Sequence, residues 1–203
     1  ISGHPLDDFK KEMRWFTNAK LSQLKDLNPL VNKNLNVAGI VNEIQHLESK
    51  NGKGWGRFTL EDFSDQYEFR IFGEEYLKFK HFISVNQFVR IKINIKEGWR
   101  NQETGRLGDP RIQFINFEML HDALFKNSKK LTLQLDIRQL KSESIQQLKK
   151  ELNGFKGDKL LYFDVIDPKK QLKLTLASRK QKVAISPELL SHLEEKRWHY
   201  KLN

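Results

Sequence analysis

Cysteine is absent from all 203 residues, which excludes a disulfide framework, a thiolate metal site and a cysteine nucleophile. That lack suits a reducing compartment, and a cytoplasmic location is the expectation. No apolar run approaches the ~20 residues that span a bilayer, and no secretory leader pattern opens the chain, so no membrane partner is expected. Enzymatic signatures are missing too: there is no nucleophile elbow, no phosphate-binding glycine loop with its lysine, and no candidate triad. The histidines (His4, His46, His81, His121, His192 and His199) show no ligand spacing. No cofactor and no catalysis are expected within these residues. Repeats and low-complexity tracts are also lacking. The first residue is not Met, and the expectation is a fragment of something longer.

What is present is basic charge, unevenly placed. The formal net charge is +10, which favours polyanionic partners. Residues 35–120 carry 12 basic and 12 acidic side chains, whereas residues 121–203 carry 18 and 10. A nucleic-acid surface within 35–120 would therefore require its charges to be segregated.

Residues 1–34 read as a helical linker, with Pro5 in a first turn, Phe9, Met13 and Phe16 at helical spacing, then Leu21, Leu24 and Leu27. Such short pieces need a neighbour to pack on. Five strand patterns follow in residues 35–120: Leu35–Leu47, Trp55–Asp62, a third with Tyr67, Phe69 and Ile71 on one face, Val89–Ile95, and Arg111–Met119. The fourth alternates most cleanly, Val89, Ile91, Ile93 and Ile95 against Arg90, Lys92, Asn94 and Lys96. In the fifth, Ile112 and Phe114, or their alternates Ile115 and Phe117, face inward. Glu74–Ile83 is a short helix between the third and fourth strands. This β-β-β-α-β-β order predicts a closed five-stranded Greek-key barrel of the oligonucleotide/oligosaccharide-binding type, the OB-fold. Residues 121–203 predict a small α+β protein-interaction domain. Its strands lie at Leu131–Ile137, Leu160–Ile166, Leu172–Leu176 and Trp198–Leu202, and its helices at Ser142–Leu152 and after Ser186-Pro187.

An OB-fold binds on the outer face of strands 2 and 3 and on the 1–2 and 4–5 loops. Lys50, Lys53, Trp55, Arg57 and Arg70 fall in the first group. Trp99, Arg100, Arg106 and Arg111 fall on or beside the 4–5 loop. Cations along the backbone and flat rings for bases are what single-strand binders need, so the first set with Trp99, Arg100 and Arg106 is the candidate nucleic-acid surface. The plainer alternative is that the two tryptophans cover a barrel end beside ordinary surface lysines. Arg90, Lys92 and Lys96 read as the wet face of a strand. Glu61, Asp62 and Asp65 could hold a metal, but acids at a strand-to-turn junction commonly cap backbone donors, and no metal is expected. In the basic C-terminal unit, Lys129, Lys130, Lys169, Lys170, Lys173, Arg179, Lys180 and Lys182 form either a phosphate-binding surface or the rim of a protein-docking one. Trp198 and Tyr200 are core or interface anchors.

The opening Ile1-Ser2-Gly3-His4-Pro5-Leu6-Asp7 resembles the "SGHPLD" segment of the bacterial DNA polymerase III alpha subunit, ahead of that family's nucleic-acid-binding barrel. Val37–Val41 and Phe58–Asp62 resemble its first two barrel strands, and Phe72-Gly73-Glu74-Glu75-Tyr76 its F-P-E-x-Y, with Gly73 replacing Pro. Ile185–Leu190 is similar to its last helix. The resemblance implies that the barrel contacts single-stranded DNA template and that the last domain binds the clamp loader's tau subunit, beside the polymerase core of the parent chain. That family is a DNA-directed DNA polymerase, but its catalytic aspartates have no counterpart here, so this part should be non-catalytic. Rival readings are the RNA-binding barrel of an aminoacyl-tRNA synthetase, against which the α+β unit argues, and a structural adaptor that binds no nucleic acid.

Overall fold

A computed structural model describes residues 3–203; Ile1 and Ser2, which begin the opening string, lie outside the described residues. The chain divides into two compact units, Ile1–Ala123 and Leu124–Asn203.

The first unit is built on a five-stranded antiparallel sheet: β1 (Asn34–Glu48), β2 (Gly54–Glu61), β3 (Gln66–Phe72), β4 (Phe88–Lys96) and β5 (Arg111–Met119), in the order β3-β2-β1-β4-β5. The long β1 serves two partners. Its first half, Asn34–Ile40, ladders with β4, and Ile40–Glu48 ladders with β2. Gly39 sits where the strand passes between them, and a Cβ there would lie 2.1 Å from the Glu61 carbonyl oxygen. Only glycine permits that approach. Alternation then buries Val37, Phe58, Leu60, Phe69, Ile71 and Ile91 in one core, with Phe79 from the helix Gly73–Phe79. The first unit's α-helices are thus α1 (Lys10–Phe16) and α2 (Gly73–Phe79); α3 (Leu120–Asn127) follows β5.

Several expectations need correction. In β5, Phe114 faces Ile93 and Asn116 faces Lys92, so Ile115 is an extra residue in the ladder. Such a bulge switches the inward face by one position. Phe114 and Phe117 are therefore both buried, one from each of the two phases read in the sequence. Second, the sheet does not close into a barrel: among the described residues β3 and β5 form no ladder with each other. The Phe114 N–H, at the free edge of β5, donates instead to Glu75 Oε1 at 3.2 Å. Third, the first 34 residues are less α-helical than their spacing suggests. Among the described residues of this stretch only α1 is α-helical, and Pro5–Phe9, Leu21–Lys25 and Asn28–Leu30 are 3₁₀ turns. They are packed, not free: Leu21 and Leu24 join the sheet's core.

Two polar groups hold that packing. Arg90 donates Nε to the Phe16 carbonyl (2.6 Å) and Nη2 to Asn36 Oδ1 (2.9 Å), and pairs with the buried Glu118. It is a tie between α1 and the sheet, so the wet face expected of β4 is left to the exposed Lys92. Asp62 accepts from the N–H groups of Leu21 (2.8 Å), Ser64 (2.7 Å) and Asp65 (3.0 Å), the capping role expected of it.

The second unit has a four-stranded mixed sheet in the order β8-β7-β6-β9, from β6 (Lys130–Asp136), β7 (Lys156–Asp167), β8 (Leu172–Ala177) and β9 (His199–Leu202). β6 and β7 are parallel and joined through α4 (Ser142–Asn153); the other pairs are antiparallel. Leu131, Leu133 and Leu161 are buried, as are Leu148 and Leu152 of α4 and Leu189, Leu190 and Leu193 of α5 (Pro187–Glu195). Ser186 Oγ accepts from Leu189 N–H at 3.3 Å and caps α5, as its sequence suggests. Ile137 belongs to a turn and not to β6, because the Asp136 carboxylate accepts the Arg138 N–H and clamps its guanidinium. Trp198 Nε1 donates to Glu151 Oε2 at 3.3 Å, tying the start of β9 to α4. No helix among the described residues is long and apolar enough to cross a membrane.

Candidate nucleic-acid interface

The register of β1, β2 and β3 decides which side chains share a face, because directly opposed residues point the same way. Leu47 opposes Trp55, which opposes Phe72; Gln45 opposes Arg57, which opposes Arg70; Glu43 opposes Thr59, which opposes Glu68. The outer surface is thus a row of apolar and aromatic groups, a row holding Arg57 and Arg70 with Gln45, and a row holding Glu43 and Glu68 with Thr59. Trp55 and Phe72 are stacked, with ring centroids 5.2 Å apart and planes inclined by 18°. Phe72 is 55% exposed, so its ring is open to solvent beside the tryptophan.

Arg57 donates Nη2 to Gln45 Oε1 at 2.7 Å, and its Nη1 lies 3.6 Å from Glu68 Oε2. Arg70 reaches Glu68 Oε1 at 3.1 Å. One carboxylate therefore serves two guanidinium groups, with Glu43 exposed on the same face in the Glu68 row. Exposed ion pairs of this kind contribute at most about 1 kcal/mol, so an incoming phosphate exchanges for Glu68 at small cost.

Between the free edges of β3 and β5 lies a cleft of about 650 Å³, lined by Tyr67, Arg70, Phe72, Glu75, Trp99 and Arg111 among others. Phe72 belongs to both surfaces, so the stacked pair and the cleft are continuous. Trp99 is 75% exposed, and the Arg111 guanidinium carbon lies 4.3 Å from its ring centroid. The loop that carries Trp99 is a small hairpin: Asn101 N–H donates to the Arg106 carbonyl (2.8 Å) and Gly108 N–H to the Trp99 carbonyl (2.9 Å). Burial pushes the Glu75 carboxyl above the ordinary carboxylate range, against the opposing pull of the Phe114 N–H and the Arg111 charge.

Trp55, Arg57 and Arg70 thus come together on one face, and Trp99 lines the adjoining cleft. Lys50 and Lys53 are exposed on the β1–β2 turn, where Lys53 N–H donates to Ser49 Oγ at 3.1 Å. Arg100 and Arg106 are exposed on the hairpin and do not line the cleft. Sequence reasoning passed over Phe72, Tyr67 and Glu75. For Phe72 the signal was there: with Tyr67, Phe69 and Ile71 inward, strict alternation sends Phe72 out beside Glu68 and Arg70.

Residues 131–203 match the family model described as DNA polymerase III alpha subunit, C-terminal domain. The DNA polymerase III subunit alpha of Borreliella burgdorferi is 26% identical over 191 residues, covering 88% of this chain and 15% of that protein. That of Pseudomonas aeruginosa is 24% identical over 157 residues, covering 77% of this chain and 12% of that protein. The chain therefore spans a small part of the length of these relatives. Among solved structures, a putative aspartyl-tRNA synthetase from Leishmania major aligns with 52% of this chain and 21% of that one, at 14% identity and a TM-score of 0.34, too low to carry an argument. By its relatives and its matched domain, the chain is related over most of its length to the C-terminal region of the bacterial DNA polymerase III alpha subunit.

Proposed function

We propose that this chain acts as a non-catalytic C-terminal part of a replicative DNA polymerase III alpha subunit, binding single-stranded template through its first unit and the clamp loader's tau subunit through its second. The strand order of the first unit, with a cleft at the β3–β5 seam, supports reading it as a partly open OB-type barrel. The observation that carries the template reading is the stacked Trp55–Phe72 pair alongside Arg57 and Arg70. Bases stack on Trp55, Phe72 and Trp99, while phosphates take the arginines from Glu68. Lys50 and Lys53 extend the cationic track at one end, and Arg100 and Arg106 at the other.

For the tau reading, the support is the domain match over residues 131–203 together with the exposed Leu172, Leu174 and Leu176 of edge strand β8. An apolar edge of this kind is what a protein partner covers.

Titration of a labelled, unstructured DNA strand at several salt concentrations tests the template reading. Arg57→Gln with Arg70→Gln should weaken binding and lower the salt slope by roughly 1.4, about 0.7 per lost phosphate contact. Equal affinity and equal slope for the variant and the parent would contradict it.

A further inference from the structure

The second unit gathers five cations around a hollow of about 520 Å³. Lys149 stands on the last turns of α4, Lys156 at the start of β7, and Arg179, Lys180 and Lys182 on the segment that follows β8. Among the described residues none of the five is ion-paired. The acids nearest in sequence are committed elsewhere: Glu151 accepts from Trp198 Nε1, and Asp158 lies 3.6 Å from Lys159 Nζ.

The walls are fixed. Ser178 N–H donates to the Leu161 carbonyl (2.9 Å) and Ala184 N–H to the Phe155 carbonyl (2.8 Å), pinning both ends of the basic segment. Gln181 Nε2 reaches Asn153 Oδ1 at 3.4 Å across the hollow. Gly157 lets the segment come close, since a Cβ there would sit 2.4 Å from Ala184 N. The C-terminal dipole of α4, equivalent to about half a negative charge, offsets little of this. Like charges held together in a fixed concavity, with no internal counter-charge, form a site for a polyanion.

We propose that this hollow binds the phosphate backbone of duplex DNA. No aromatic or large apolar side chain lines it, so it has nothing to stack on an unpaired base and nothing to insert into a lipid layer. Recognition rests on charge alone, and a duplex presents the denser line of charge, one per about 1.7 Å. The site is independent of the template-binding face of the first unit.

The test uses the whole chain with labelled duplex and single-stranded DNA, and with phosphatidylglycerol vesicles. The variant is Lys156→Gln, Arg179→Gln and Lys182→Gln together, all exposed positions. Unchanged melting and circular dichroism establish its fold, and Lys149→Gln with Lys180→Gln provides a second variant should the first not fold. The expected result is a loss of duplex affinity of tenfold or more, with the salt slope reduced by about 2–3, while single-strand affinity stays close to the parent's. Identical duplex affinity and slope in parent and variant would overturn the proposal. So would a loss confined to the vesicles. Failure of the template reading shows elsewhere, as single-strand binding insensitive to Arg57 and Arg70.

Discussion

At the scale of residues, the first unit's surface is decided by who shares a counter-ion. Glu68 stands against both Arg57 and Arg70, so the two guanidinium groups share one row beside the acids Glu43 and Glu68 of the next. Glu75 lines the cleft beside Trp99 and Arg111, and burial raises its carboxyl. Its negative charge opposes phosphate entry, and its raised pKa means that it is neutralised at a higher pH than exposed carboxylates. Glu75→Gln keeps an acceptor for the Phe114 N–H but removes the charge. Its expected effect is tighter single-strand binding at neutral pH, by a few-fold. Binding by the parent should strengthen as pH falls toward the raised carboxyl value, and this part of the pH dependence should flatten in the variant. Affinity measured across pH for both proteins checks it; weaker binding by the variant at neutral pH would show that the carboxylate is not an obstacle.

At the scale of elements, period and punctuation were enough to place nearly every strand. Val89, Ile91, Ile93 and Ile95 alternate into the core, Gly39 marks the bend of β1, and Ser186-Pro187 starts α5. What escaped the sequence is what depends on partners far along the chain. The bulge at Ile115 follows from the register of β5 on β4, and both candidate phases of that strand proved partly right for this reason. Arg90 looked like solvent-facing alternation, yet it reaches Phe16, a residue 74 positions away. The open β3–β5 seam was equally illegible, since closure depends on edge hydrogen bonds, and at Phe114 the N–H goes to Glu75.

Asp164 of β7 is held by the neighbouring strand β8. Burial alone would raise its carboxyl, but hydrogen bonds from Lys173 Nζ (2.7 Å) and Thr175 Oγ1 (2.7 Å), with the charge of Lys201, outweigh that and hold it below the ordinary range. A depressed folded-state pKa contributes stability that is present above the unfolded value, about 3.9, and is lost as pH falls through the folded one. Asp164→Asn should therefore lower stability at pH 7 by roughly 1–3 kcal/mol, the cost of a charge-assisted hydrogen bond. The gap should narrow below about pH 4. Denaturant melts at pH 7 and pH 3 measure both; an equal gap at the two pH values would assign the loss to packing alone.

For the whole molecule, the charge asymmetry seen in composition becomes a division of labour. The sheet region of the first unit, residues 35–120, is neutral overall and brings rings and guanidinium groups to one surface; the second unit carries most of the excess of bases, five of them around one hollow. The candidate surface was legible in outline, because the strand order named the face and alternation named Trp55, Arg57 and Arg70. Its continuity was not, since the stacking of Phe72 on Trp55 and the cleft joining it to Trp99 depend on strand pairing and loop closure. The account therefore rests on that aromatic pair, and the most direct measurement is single-strand affinity of the parent against Trp55→Ala with Phe72→Ala, both checked for unchanged melting. Stacking is worth about 1–3 kcal/mol per base, so the double variant should bind roughly 5- to 150-fold more weakly while keeping the parent's salt slope. Undiminished affinity in a folded double variant would contradict the assignment of this face to single-stranded DNA.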